Sequence, residues 1–182
     1  MKISVILSKL GWLLAGGLLL FNIAVALLYV AGVRINDTRS VAKGFYRVVN
    51  VPVARGVYVT FCPPDNAIFQ MARERNYIGQ GFCPGQYSGL MKWVAGVPGD
   101  RYQFTEDGLL LNGVLVGNTK PLPHDGGNRP MPILRERGVL GKDEFILIGD
   151  AVANSFDARY YGVVDGAHIR NVVQPVWVSK PE

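Results

Sequence analysis

LMKWVAGVPGD, Leu90–Asp100, sets one charged side chain inside an apolar strand pattern. Leu90, Met91, Trp93, Val94, Ala95 and Val97 surround Lys92, and the run stops at the turn signal Pro98-Gly99-Asp100. A lysine so placed either carries its ammonium out to water or sits buried and gives up part of its charge. With a pKa of about 10.4 it is neutral in roughly one molecule in a few thousand at pH 7. Burial that brings the pKa to about 7–8 makes it a usable general base, at a cost of about 3–5 kcal/mol of ammonium solvation. The plain alternative is a strand with one solvated lysine, the state of most lysines.

Outward from this strand, the chain of 182 residues is long enough for one domain with a real core. Leu10 to Val33 contains no charged residue and exceeds the roughly 20 residues that span a bilayer as a helix. Ala24-Val25-Ala26 has the small-x-small form of a cleavage site, but the core of a cleaved leader is only about 7–15 residues. A retained single-pass anchor is expected. Lys2 and Lys9 lie on one side of it and Arg34, Arg39, Lys43 and Arg47 on the other, so the charge count does not orient it. Cys62 and Cys83, each followed by proline in FCPP and FCPG, read as a disulfide in an extracytoplasmic domain, with two buried thiols as the alternative. Such a bridge closes a loop of about 20 residues and would stabilise the domain by about 2–4 kcal/mol. Neither a CxxC spacing nor a histidine cluster points to a metal.

The formal net charge is +5. Its basic residues are scattered, without an aromatic-basic platform, so nucleic acid is excluded as a partner and anionic lipid accounts for the balance as well. Strands are expected at Phe45–Val49, Val57–Phe61, Glu144–Ile148 and Val172–Val178, and one short helix at Asn66–Arg75 with Ile68, Met71 and Ala72 on one face. Asp107-Gly108 and Asn112-Gly113 are hairpin signals, and Lys120–Arg137, rich in Pro and Gly, reads as a long surface loop. The soluble part is therefore mainly β.

Two further segments carry chemistry. Ser40 lies a short way past the apolar run; even fully extended, the intervening chain reaches only about 25 Å. In IGDAVANSFDARYYG, Ile148–Gly162, residues Ser155, Asp157 and Arg159 are two apart, and strand alternation would put them on one face. There they could hold a lysine in place, or Asp157 could pair with Arg159 only to stabilise a loop. His124 beside Asp125 is the weak hint of a different triad.

A serine past an anchor, a lysine strand before PGD, and GD…NS-x-D-x-R-x-x-G together resemble the type I signal peptidase family, S26. NDTRSVAKGFY with FCPP and FCPG is closer to its conjugative-transfer members, the TraF type. Val41 follows the serine where the general family carries Met, and Ala151 stands where it reads GDN. The resemblance implies a single transmembrane helix followed by a signal-peptidase-like β domain with one short helix. It implies residues 1–33 as cytoplasmic N-terminus and anchor, and 34–182 as a periplasmic peptidase domain at the inner membrane. It implies Ser40 as nucleophile, Lys92 as general base and Asp157 as their support, with Ser155 and Arg159 around them, and no metal or organic cofactor. The expected substrate is the leader of an exported protein, foremost a conjugative pilin precursor, with membrane lipid and other conjugation or secretion proteins as partners. Two other readings stay open: a peptidyl cyclase that makes a circular pilin, and an inactive membrane-tethered assembly subunit.

Overall fold

The strand around Lys92 is the middle of a sheet. In the structure, a computed structural model that describes residues 2–179, it runs from Leu90 to Gly96 (β4) and is hydrogen-bonded on both sides. Its neighbours are antiparallel: Tyr58–Phe61 (β3) sets Val59 opposite Lys92, and Glu144–Ile148 (β9) sets Leu147 opposite Val94. Being central explains its composition. Both faces are covered, so alternation gives way to a near-continuous apolar run. Leu90 and Val94 share the Lys92 face and pack with Val59, Phe61 and Leu147, while Ala95 on the other face packs with Phe104, Leu109 and Ile146.

The other strands are Val33–Asn36 (β1), Gly44–Val49 (β2), Arg101–Thr105 (β5), Gly108–Leu111 (β6), Val114–Leu115 (β7), Arg137–Val139 (β8), Val164–Asp165 (β10) and Ile169–Val178 (β11). Seven form one sheet in the order β1-β2-β11-β3-β4-β9-β10, and four form a second, β7-β6-β5-β8. The expected hairpins are present. Asn112 and Gly113 both take positive φ, 52° and 83°, between β6 and β7, as a two-residue hairpin turn requires. The turn after β4 is pinned by Asp100. Its carboxylate accepts from Val97 N and Asn112 Nδ2, and both of its oxygens accept from Arg55 Nη2, all at 2.6–2.9 Å.

The short helix runs Ala67–Glu74 (α2), capped by Asn66, whose side chain accepts from Phe69 N. Phe69 and Ala72 are its buried residues, so the core face is centred on Phe69, and Met71 lies at its margin. Single turns also form, including Ala158–Tyr161 (α3). The chain divides into two compact units, Met1–Arg34 and Ile35–Glu182. The first is dominated by the helix Lys2–Val30 (α1), whose stretch Gly11–Val30 is long and apolar enough to cross a membrane, with a mean hydropathy of 2.3 and no part of it buried. The Lys2 side chain lies outside the described residues. In the second unit Cys62 and Cys83 form a disulfide with Cα atoms 5.4 Å apart. It ties the end of β3 to the loop that leads back into β4.

Candidate active site

Lys92 is buried, 2% exposed, on the apolar face of β4. Its Nζ donates to Ser155 Oγ at 2.9 Å. Burial among hydrocarbon disfavours the ammonium and brings the lysine down to about 8; Asp157 and Asp150 oppose this shift and Arg159 adds to it. At that value about one molecule in ten holds a neutral amine at pH 7.

Ser155 is held in place by the residues on its C-terminal side. The segment expected to be extended is not: after Ile148 the chain forms a loop, and Asp157 is the N-cap of α3. This corrects the shared face expected for Ser155, Asp157 and Arg159. Their convergence comes from a capped helical turn, not from strand alternation. The Asp157 side chain accepts from Arg159 N, as an N-cap does, and from Gly149 N at 2.9 Å. Arg159, only 2% exposed, meets both carboxylate oxygens, Nε to Oδ1 at 2.7 Å and Nη2 to Oδ2 at 2.8 Å. Its remaining donors reach the carbonyls of Asn118, Lys120, Ala153 and Ser155. The buried charge is thus fully hydrogen-bonded, the condition on which burying it is tolerable. The same bonds fasten the start of the long loop after β7, which then runs mostly exposed, as expected for a surface loop.

Ser40 meets this assembly through the backbone. Ala151 N donates to Ser40 O at 3.2 Å. Between them Gly149 has no room for a side chain: a Cβ there would lie 2.1 Å from Ser155 Oγ and 2.8 Å from Ser40 O. One glycine therefore brings the serine bonded to Lys92 and the Ser40 backbone together. The segment before Ser40 is shaped by Asn36, whose Nδ2 donates to the carbonyls of Thr38, Val41 and Ala42 and whose Oδ1 accepts from the Thr38 hydroxyl. Val41 is completely buried, which anchors the residue after Ser40. Ser40 itself is half-buried and lines a cavity of about 230 Å³ with Ile78, Leu90, Val152 and Phe156. Among the described residues no hydrogen bond joins Ser40 to Lys92.

Sequence reasoning missed Asp150 and Tyr58. The Tyr58 hydroxyl donates to Asp150 Oδ2 at 2.6 Å, across from β3 to the loop after β9. Burial and then the Asp150 carboxylate hold that phenol well above its ordinary value. The signal was the Gly149-Asp150 pair itself, which the sequence analysis used as the start of a motif without assigning Asp150 a partner. His124 does not build a triad. Its neighbour Asp125 is occupied by the Tyr77 hydroxyl, by Arg129 Nε at 2.7 Å and by the N–H groups of Gly127 and Arg129. Among the described residues no group of three or more His, Cys, Asp or Glu is placed to hold a metal ion.

Residues 8–178 match the family model for signal peptidases, peptidase S26. The "Plasmid transfer protein TraF" of Escherichia coli is 39% identical over 168 residues, covering 90% of this chain and 94% of the relative. The "Conjugal transfer protein TraF" of Agrobacterium tumefaciens (strain 15955) is 31% identical over 170 residues, covering 92% and 95%. A crystal structure of a signal peptidase I from Enterococcus faecalis V583 superposes with a TM-score of 0.40 and 17% identity, over 68% of this chain and 98% of the other. The chain belongs to the S26 signal peptidase family. Within it, the chain is of the TraF type.

Proposed function

We propose that this chain is a membrane-anchored serine endopeptidase that removes leader peptides from exported proteins, foremost a conjugative pilin precursor. Ser40 is the nucleophile and Lys92 the general base. Residues 1–33 anchor the chain in the inner membrane, and residues 34–182 form the peptidase domain on the periplasmic side. The observation that carries this reading is Lys92: a lysine buried on an apolar strand face, lowered to about 8, with its amine bonded to a serine rather than to a carboxylate. A structural lysine gains nothing from such burial; a base that must be neutral near pH 7 requires it.

Neutral Lys92 Nζ takes the proton from Ser40 Oγ as that oxygen attacks the scissile carbonyl. The tetrahedral oxyanion needs donors aimed at it, and the Ser40 N–H is one. The lysine then returns the proton to the leaving amine, the C–N bond breaks, and an ester to Ser40 remains. Water, deprotonated by the same lysine, hydrolyses the ester. Ser155 keeps Nζ in line, and Asp157 with Arg159 keeps Ser155 in place. Contacts of this kind are often long before substrate binds and tighten in the complex. The periplasmic placement is supported by the Cys62–Cys83 bridge, since disulfides persist in oxidising compartments.

Co-expression with a pilin precursor and mass spectrometry of the product tests this. Ser40→Ala and Lys92→Met should each abolish processing while the protein still inserts and folds. Undiminished processing by either variant would refute the assignment. A product one water lighter than the cleaved linear peptide would replace hydrolysis with cyclisation.

A further inference from the structure

Because no hydrogen bond joins Ser40 to Lys92 among the described residues, their separation depends on what grips the backbone around each. The Ser40 turn is gripped at two carbonyls. Ser40 O accepts from Ala151 N, on the loop that goes on to Ser155 and its bond with Lys92 Nζ. Ala42 O accepts from the Tyr46 hydroxyl at 2.6 Å and from Asn36 Nδ2 at 3.1 Å. Between the two, Val41 is completely buried. The second grip leads back to the first. Tyr46 on β2 and Tyr58 on β3 stand on the two strands that flank β11, and their rings meet edge to face with centroids 5.8 Å apart. Val41, Met91 and Val173 pack with them. Tyr58 in turn donates to Asp150, the residue before Ala151. Asp150 is exposed, and among the described residues that hydroxyl is the sole hydrogen-bond partner of its side chain. A ring of contacts thus closes from Ser40 through Ala151, Asp150, Tyr58, Tyr46 and Ala42 back to Ser40. Burial, and then the Asp150 carboxylate, raise both phenols, so each hydroxyl keeps its proton and stays a donor at neutral pH.

We propose, on the basis of the peptidase reading, that Tyr46 and Tyr58 are positioning residues that act as one unit to hold Ser40 within reach of Lys92. Tyr46 holds the turn after the nucleophile. Tyr58 holds the loop that carries Ser155, the partner of the base. The ring contact ties the two holds together. Packing alone does not account for the pair, since phenylalanine would supply the same two rings. What the hydroxyls add is a bond to each of the two chain segments that must stay aligned for proton transfer. A displacement of about an ångström there is enough to cost about 100-fold in rate.

The test uses the full chain in detergent, a synthetic peptide spanning a pilin-precursor cleavage site, and the variants Tyr46→Phe, Tyr58→Phe and both together. Each single change should lower kcat about tenfold or more with KM unchanged, because a displaced nucleophile does not alter binding. The double variant should lose no more than the worse single one, since either change opens the same ring of contacts. In Tyr46→Phe the acid limb of kcat/KM should stay near pH 8, since no charge beside Lys92 is altered. Hydrogen exchange needs no substrate. It should show the Ala151 amide exchanging about tenfold faster or more in both single variants, while the amides of β4 keep their rates. Unchanged kcat, a change in KM alone, or losses that multiply in the double variant would overturn the pairing and leave the peptidase reading standing. Unchanged exchange at Ala151 in both variants would overturn it whatever the peptide result. No cleavage by wild type would overturn the peptidase reading and the positioning role with it.

Discussion

Lys92 holds a charge that its surroundings resist. Below pH 8 the amine is protonated both in the folded and in the unfolded chain, and burying it costs about 3 kcal/mol, the worth of its fall from 10.5 to about 8. Between those two values the unfolded chain binds the proton and the folded chain does not. Stability therefore rises with pH across that window, and above 10.5 the cost is gone. Lys92→Met, which replaces the amine with an apolar chain of similar length, should stabilise the protein by up to about 3 kcal/mol at pH 7 while abolishing activity. Denaturant midpoints at pH 7 and pH 10.5 check this: the gain should shrink at the higher pH. Activity should follow the same proton, with an acid limb near pH 8 in kcat/KM, which reports the free enzyme. Asp150→Asn keeps an acceptor for Tyr58 but removes a carboxylate that favours the ammonium, so the limb should move to lower pH. A limb that moves upward in this variant would refute the charge role given to Asp150.

In the proposed mechanism the loop between β9 and α3 does the positioning, and its parts should fail differently. Gly149→Ala inserts a methyl where 2.1 Å separates it from Ser155 Oγ and 2.8 Å from Ser40 O. Gly149 does not take a positive φ, so the obstacle is space and not backbone conformation. The expected result is a fall in kcat of about 100-fold or more, from displacement of about an ångström at the reacting groups, with the fold retained. Circular dichroism and kinetics on the same sample separate these effects. Asp157→Ala is a different loss: it leaves the Arg159 guanidinium buried without its carboxylate and should cost about 3–5 kcal/mol of stability. On the opposite flank, Cys62→Ser with Cys83→Ser should cost about 2–4 kcal/mol, read as a lower urea midpoint. It should also slow cleavage, because the bridged loop carries Tyr77 and Ile78 into the Ser40 cavity.

At the scale of the molecule, the parts visible in the sequence were those fixed by local rules. The apolar run of α1, the near-unbroken apolar strand around Lys92, the Asn112-Gly113 hairpin and the short helix α2 each come from a period or a turn residue. The Lys92 strand also gave the direction of the proton chemistry, because an ionisable group among hydrocarbon side chains has few other fates. What stayed hidden depends on long-range contact. Alternation suggested an extended Ser155–Arg159 segment, but the Asp157 cap and the carbonyls of Asn118 and Lys120 turned it into a helical turn around a buried arginine. No window of sequence shows Arg159 reaching carbonyls some forty residues away. Nor does one show Tyr58 meeting Asp150. The central claim is that the Lys92 amine is poised to lose its proton near neutrality. Its most direct measurement is a titration of the Lys92 side chain by NMR, with lysine isotopically labelled and Lys92→Met used to assign the signal. The Lys92 signal should show a midpoint near pH 8; a midpoint at 10.5, the value of a lysine in water, would contradict a poised amine.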